Sequence, residues 1–402
     1  MNYTKNCKIA KSIKIVIEWI ARKEAMRILT VSYEFPPIGG GGSSVVVGLA
    51  KELVNLGHEV DLVTMSFKGL ARRERVHGIN VYRVPCIRLR ADICRPGEMV
   101  TYLMMAFPML YRLVHRNRYD LNHTHFIFPD ALLSYWLKKM TGLPYIVTAH
   151  GSDVPGYNPN RFMALHRILK PVWKHVVGSA SEIVSPSHAL VELIEQQKSG
   201  TPITVIPNGF SVDRFQPARH SRYQVLIVSR MFERKGIQYF LRALDGLPYP
   251  LKVDIIGDGN YLEPLKELAG EIKTEATITY HGWLDNLSPQ FGQLVENASI
   301  FVYPSEAENF PIALLEAMAA GLAIITTSNT GCAEVVGETG LLVPPRDPDA
   351  IRKALQRLVD HPELVEQLGQ AARQRVEKEF GWPAVARRYL AVYQRVMEMS
   401  RL

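Results

Sequence analysis

Four charged side chains in the second half of the chain carry the clearest chemical signal. Arg230 and Lys235 lie in VSRMFERKG, the arginine closing an apolar run and the lysine five residues later, where a helix begins. Two fixed cations around a helix N-terminus suit a diphosphate, with its two or so negative charges. Glu233 and Arg234, between them, read as solvated. Glu308 and Glu316 lie in YPSEAENFPIALLEAMAAG, where every residue from Pro311 to Ala320 except Glu316 is apolar. A helix so apolar is buried. A carboxylate withdrawn from water costs several kcal/mol or more unless something meets it, and that partner is either the protein or a ligand. The paired carboxyls of a glycosidase stand roughly 5–9.5 Å apart, whereas the eight helical steps from Glu308 to Glu316 span about 12 Å. Pro311 belongs in the first helical turn, so Glu308 precedes the helix. The spacing disfavours a glycosidase pair and fits two carboxylates touching successive parts of one elongated ligand. Each can accept two hydroxyls, which suits ribose or a hexose.

The first half offers softer signals. EFPPIGGGGSS sets Gly39, Gly40, Gly41 and Gly42 ahead of Ser43, Ser44 and an apolar helix. Such a loop allows a ligand close to the backbone, and the helix start offers N–H groups to an anion. A flexible connector is the plainer alternative. PYIVTAHGSD places His150, Gly151 and Asp153 at the end of another apolar run. A lone histidine is more often structural, but this placement favours a functional one. His123 and His125 alternate onto one face of a strand, and a metal site there needs a third ligand that the sequence does not identify. In IIGDGNY, Gly257, Asp258 and Gly259 form a tight turn against which a base or phosphate could lie.

The elements that must position these residues alternate in type. From Met26, RILTVSY, EVDLVTM, INVYRVP, YDLNHTHF, PYIVTAH, EIVSPS and ITVIPN read as strands, most of them separated by helical patterns. After Gln216 the pattern restarts with YQVLIVSR, LKVDIIGDG, ITYHGW, SIFVYPS, LAIITTS and GLLVPP. Strands alternating with helices predict parallel sheets covered on both faces, and the restart predicts two doubly wound α/β domains. The break falls in SVDRFQPARHSRY, Ser211–Tyr223. Open sheets of this kind bind ligands beyond the carboxyl ends of their strands, where the residues above all fall.

Composition narrows the class. The chain has 402 residues, 47% apolar and 21% charged, an ordinary globular balance sufficient for two cores. Cys7, Cys86, Cys94 and Cys332 form no C-x-x-C, which argues against a disulfide framework or zinc site and fits a reducing compartment. Residues 1–220 hold 28 Lys/Arg against 16 Asp/Glu and the remainder 19 against 23, so the net +8 is concentrated in the first half. That favours an anionic partner there, such as a membrane surface, a phosphorylated lipid or an acidic polymer, with a solvated basic face as the plain alternative. The run Met99–Val114 is too short for a membrane span and contains Pro108. In residues 1–25, Ile9, Ile13, Val16, Ile17 and Ile20 share one helical face among lysines. Without a secretory h-region, the segment reads as an extension outside the fold, an amphipathic membrane-surface helix or a packed helix. No G-x-G-x-x-G is present and Thr64-Met65-Ser66 supplies no ribose-binding acid, which counts against a dinucleotide enzyme. The glycine loop is not followed by Gly-Lys-Ser/Thr, which excludes a P-loop.

Together these residues resemble the retaining glycosyltransferases of family 4, which have the GT-B fold: two Rossmann-like domains facing across a cleft. The resemblance runs from about Met26 to the C-terminus, through the glycine loop, His-Gly-x-Asp, IPNGF (Ile206–Phe210), SRMFERKG, GDG and the E-x7-E of AENFPIALLE. It implies an acceptor-side domain over 26–217, a nucleotide-sugar donor domain over 218–381 and a terminal helix over 382–402 returning to the first. It further implies that Arg230 and Lys235 hold the donor diphosphate and that Glu316 takes the ribose hydroxyls. Glu308 would contact the transferred sugar, with backbone N–H groups at Asn309 and Phe310. Gly41 and Gly42 would approach phosphate or sugar, Gly257 would line the donor site and His150 would lie beside the sugar. Many members have glycine where this chain has Asn309, which leaves the donor sugar open. No metal and no other cofactor are expected, and no nucleic acid. The expected partners are a nucleotide-sugar and a glycan or lipid-linked acceptor, with the Tyr102–Arg118 segment a candidate to meet the latter at an anionic membrane, a packed core with a basic end being the plain alternative. The expected place is the cytoplasm or the inner face of the plasma membrane, in surface polysaccharide assembly. A non-catalytic sugar-nucleotide-binding module and an NAD-dependent oxidoreductase are the rival readings.

Overall fold

The computed structural model describes residues 25–91, 93–157, 163–197, 199–216 and 223–401. The amphipathic pattern of residues 1–24 and part of the expected domain break, at 217–222, lie outside the described residues. The chain divides into two compact units. One takes Met1–Ser185, Leu193–Thr204 and Ala386–Leu402; the other takes Pro186–Glu192 and Val205–Val385. The chain enters the second unit first at Pro186 and again at Val205, and Phe210 and Phe215 are buried in the second core.

The first unit is an eight-stranded sheet in the order β3-β4-β2-β1-β5-β6-β7-β8. Its strands are β1 Arg27–Val31, β2 Glu59–Met65, β3 Arg73–Val76, β4 Ile79–Val84, β5 Leu121–His125, β6 Tyr145–Thr148, β7 Glu182–Ser185 and β8 Ile203–Val205. Pairs from β4 through β7 are parallel. β5, β6 and β7 are buried at every residue, so the polar His123, His125 and Glu182 within them are enclosed along with the apolar positions. β3 is the one strand the sequence reading missed. It pairs antiparallel with β4 at the edge, and its RERV alternates charge with half-buried positions, so it carries no apolar period. Charged side chains on such an edge discourage pairing with another chain.

The second unit has a six-stranded sheet, β11-β10-β9-β12-β13-β14. Its strands are β9 Gln224–Val228, β10 Lys252–Ile256, β11 Thr277–Gly282, β12 Ile300–Tyr303, β13 Ala323–Thr327 and β14 Gly340–Val343, all parallel. The two-residue period of the strands divides the core: Val225, Ile227, Ile300 and Val302 pack on one face, Leu226, Phe301 and Tyr303 on the other. The helix Ile312–Ala319 fills the second face with Leu314, Leu315, Met318 and Ala319. Pro311 caps this helix in an extended conformation, one position ahead of the first turn expected for it.

Each sheet reverses its strand order once. In the first the reversal lies between β1 and β5; in the second it lies between β9 and β12. At such a point the loops leaving the two central strands diverge and open a crevice at the carboxyl edge.

Candidate active site

At the reversal in the second sheet, the loop after β9 supplies Arg230 and Lys235 and the loop after β12 supplies Glu308. Arg230 is exposed, its guanidinium 5.4 Å from the Phe232 ring. A single 3-10 turn, Glu233–Lys235, then leads into the helix Ile237–Leu244 and carries Lys235 inward to 6% exposure. There its ammonium pairs with Glu308 Oε1 and lies 3.3 Å from the Tyr303 hydroxyl. The same carboxylate oxygen accepts Tyr303 Oη–H at 3.1 Å and Ser305 Oγ–H at 2.9 Å. Burial alone would push the Glu308 carboxyl up; Lys235 and the bonds from Lys235 and Ser305, with Arg234 adding charge, hold it below the usual range. Burial pushes the Tyr303 phenol well up, so it stays a donor.

Glu316 is 6% exposed and meets a protein partner at one oxygen. Its Oε1 accepts from Arg214 Nη1 at 2.9 Å and from Asn286 Nδ2 at 3.1 Å. Among the described residues its Oε2 has no partner. Arg214 is itself held by the Asn286 carbonyl, and its guanidinium lies 5.0 Å from the Phe215 ring. Burial raises the Glu316 pKa, and Arg214 and Asn286 only partly reverse this. The acid in the apolar helix is thus half satisfied from within.

Other donor-side residues are placed as follows. Gly257 has φ +134°, and a Cβ there would stand 1.8 Å from the Ser229 carbonyl oxygen, so glycine lets the loops after β9 and β10 cross in contact. Met231 N–H donates to the Asp258 carbonyl at 2.9 Å across that crossing. Asn309 is buried, and its Oδ1 accepts from Ser187 Oγ. Phe310 packs edge-on against Phe380 at 5.5 Å. Among the described residues, the backbone N–H groups of Asn309 and Phe310 have no acceptor.

The first unit builds a different kind of centre at its own reversal. The helix Gly41–Asn55 opens on Gly41 and Gly42, and a Cβ on Gly42 would stand 2.6 Å from the Phe126 ring. Phe126, just after β5, adopts φ +70° and packs 4.3 Å from the His150 ring. His150 Nε2 lies 3.2 Å from His125 Nδ1. Asp153 Oδ1 accepts the backbone N–H groups of His150 and Gly151 at 3.0 and 2.9 Å, and its Oδ2 accepts that of Ile127 at 2.7 Å. His123 is fixed by Thr148 Oγ1 at 2.8 Å and by Tyr393 Oη at 2.7 Å, the tyrosine coming from the terminal helix Trp382–Arg401. Burial pushes His150 down to about 3, and burial with the neighbouring His150 does the same to His123. These imidazoles are neutral at pH 7. Among the described residues no cluster of His, Cys, Asp or Glu is arranged to hold a metal ion.

Comparison with known proteins decides what carries this architecture. Residues 210–375 match the family model for glycosyl transferases group 1, and residues 39–214 match that for glycosyltransferase family 4. TuaC of Bacillus subtilis, named for teichuronic acid biosynthesis, is 30% identical over 302 residues, covering 70% of this chain and 71% of its own. The chain belongs to the group 1 glycosyltransferases. An uncharacterized glycosyltransferase of Methanocaldococcus jannaschii is 27% identical, covering 93% of this chain and 99% of its own. In fold, the enzyme is similar to the sucrose-phosphate synthase of Thermosynechococcus elongatus, with a TM-score of 0.77 at 22% identity over 93% of this chain and 100% of that one. The fold class is therefore GT-B, with two parallel-sheet α/β units.

In this glycosyltransferase, reading the sequence missed the residues that hold the carboxylates. Tyr303 and Ser305 stand five and three positions from Glu308 and were visible as polar groups at a strand end. Arg214 and Asn286 lie 102 and 30 residues from Glu316, and no local pattern joins them to it.

Proposed function

We propose that this glycosyltransferase moves a hexose from a nucleoside-diphosphate sugar to a glycan or lipid-linked acceptor with retention of anomeric configuration. The observation that carries the reading is Glu316: one oxygen is fixed by Arg214 and Asn286, and the other is left to accept hydroxyls. Beside the same strand reversal, Arg230 is an exposed cation for a diphosphate, and the free N–H groups of Asn309 and Phe310 are donors for a sugar hydroxyl. Lys235 stabilises charge on the departing diphosphate through a hydrogen-bonded, buried cluster with Glu308, a preorganised arrangement that loses little on reorganisation. The leaving phosphate takes the acceptor proton on the same face, so the mechanism asks for no protein base and no metal. His150, being neutral, offers a hydrogen bond to the sugar rather than a charge.

The acceptor role falls to the first half, with its excess of Lys and Arg. No helix among the described residues is long and apolar enough to cross a membrane. Peripheral work on an anionic membrane face, in assembly of a surface polysaccharide, fits that charge.

Calorimetry with UDP, GDP, ADP and NAD on the wild type and on Glu316→Gln tests the donor site. One nucleoside diphosphate should bind, NAD should not, and the variant should lose about 1.5–3 kcal/mol per hydrogen bond to the carboxylate. Equal binding by the variant would show that Glu316 serves only Arg214 and would remove the reading's main support. The anomeric configuration of the product, read by NMR, tests retention separately.

A further inference from the structure

The first unit contains a ligand-sized pocket, about 470 Å³, lined by residues following β2 and β4 and by the helix Pro96–Arg116. That volume lies in the small-molecule range, and the place is again the carboxyl edge of a parallel sheet. Its chemistry is one-sided. Lys68, Arg72 and Arg88 line it, and among the described residues no Asp or Glu does. Lys68 and Arg72 are exposed and have no ion-pair partner among the described residues.

Arg88 is the more telling residue. It is 8% exposed, yet among the described residues its guanidinium donates only to neutral acceptors: the carbonyls of Arg90 and Ala91, each at 2.9 Å, and Met65 Sδ at 3.2 Å. Glu98, the acid in the same neighbourhood, is committed to the backbone N–H groups of Leu89 and Arg95 at 3.0 and 2.9 Å. Among the described residues no carboxylate lies within ion-pair distance of this cation, and an anion in the pocket would supply the counter-charge. The opposite wall is apolar and open: Ile87 is 57% and Met105 48% exposed.

We propose that this pocket seats a lipid phosphate, its phosphate among Lys68, Arg72 and Arg88 and the first part of its chain against Ile87 and Met105. The acceptor of the transfer proposed above is then a phosphate-bearing amphiphile; that conclusion rests on the glycosyl-transfer reading, whereas the binding does not.

Dihexanoyl phosphatidate, dihexanoyl phosphatidylcholine and inorganic phosphate, each below any micelle threshold, are titrated into the full chain by calorimetry. Phosphatidate should bind at least tenfold more tightly than either of the others. The double variant Lys68→Gln/Arg72→Gln should lose that advantage, and Met105→Asp should lose it while keeping any binding of inorganic phosphate. Inorganic phosphate binding as tightly as phosphatidate would overturn the proposal in favour of a free-anion site. Equal binding of phosphatidylcholine would reduce it to apolar adsorption, and an unchanged double variant would place binding elsewhere. Nucleoside diphosphate is titrated into the same samples and should bind the variants as it binds the wild type. If phosphatidate binds and no nucleoside diphosphate does, the pocket stands and the donor reading fails; the reverse result removes the pocket alone.

Discussion

The two units place different chemistry at the same topological position. Each sheet reverses strand order once, and each puts functional-looking residues in the loops leaving the central strands. In the second unit the crevice gathers formal charges: the loops after the central strands bury Lys235 against Glu308, and the helix that follows sets Glu316 against Arg214. In the first unit they bury neutral rings: His125, His150 and Phe126 stacked about the glycine that opens a helix. The topology supplies a crevice twice, and the side chains decide which crevice suits an anion. A buried ion pair retains a strong field for a charged ligand, whereas a buried imidazole held neutral can only hydrogen-bond.

The sharpest way to break this contrast is to remove one charge. Lys235→Met leaves Glu308 buried without its cation, and unfolding in urea should show a loss of about 3–5 kcal/mol. The double variant Lys235→Met/Glu308→Leu should recover most of that stability, because a packed apolar pair of similar size costs little. Both should fail to transfer sugar. A single variant as stable as the wild type would mean that this pair is not held in a dry interior.

The neutral centre should show itself through pH. His123 and His150, held down at about 3, take up protons on unfolding once the pH drops below about 6.5. Their contribution to stability is therefore complete above pH 6.5 and declines as the pH falls toward 3. Asp130, Asp153 and Glu316, all pushed up by burial, titrate in the opposite sense, so a difference is the cleaner readout. The stability gap between wild type and His123→Gln should shrink by about 1.4 kcal/mol per pH unit between pH 6 and 4. A constant gap would mean that His123 ionises freely in the folded chain.

What the sequence disclosed follows the range of each interaction. Parallel strands announce themselves in runs such as QVLIV and AIITT because burial on both faces imposes one composition. β3 escaped because an edge strand of charged residues has no apolar period to detect. The buried acid in the Ile312–Ala319 helix was a legible demand for a partner, but the partner was not legible. Arg214 lies in a polar stretch that reads as a domain break, and only the folded second unit brings it to Glu316. Gly257 was visible as a loop glycine, but the role read for it was contact with a ligand. The structure shows a further reason, the Ser229 carbonyl crossing beside it, which belongs to a different loop.

Arg214 sharpens the comparison at the level of one carboxylate. Burial raises Glu316, and Arg214 is the leading influence pulling it back. Arg214→Gln should raise it further, so the weakening of nucleotide binding on acidification should set in at a higher pH than in the wild type. A protonated Glu316 has one fewer acceptor, and the added loss on acidification should be about 1–3 kcal/mol by calorimetry. Parallel pH profiles would show that the ribose does not depend on this carboxylate's charge.

The smallest expected effect concerns Asn309, where the family resemblance leads one to expect glycine. Its side chain accepts a hydrogen bond from Ser187, and the 186–192 segment is further held by Glu334, whose oxygens accept the N–H groups of His188 and Ala189 at 2.7 and 2.9 Å. Asn309 is thus occupied by its own unit rather than offered to a sugar. Asn309→Gly should therefore cost about 1 kcal/mol of stability for the lost bond. Preference among donor sugars should stay unchanged, since the Oδ1 bond to Ser187 anchors the amide within its own unit. A variant that accepts a larger or differently substituted hexose would show that the amide turns toward the donor when it binds, and the second unit would then read its sugar with a side chain as well as with backbone.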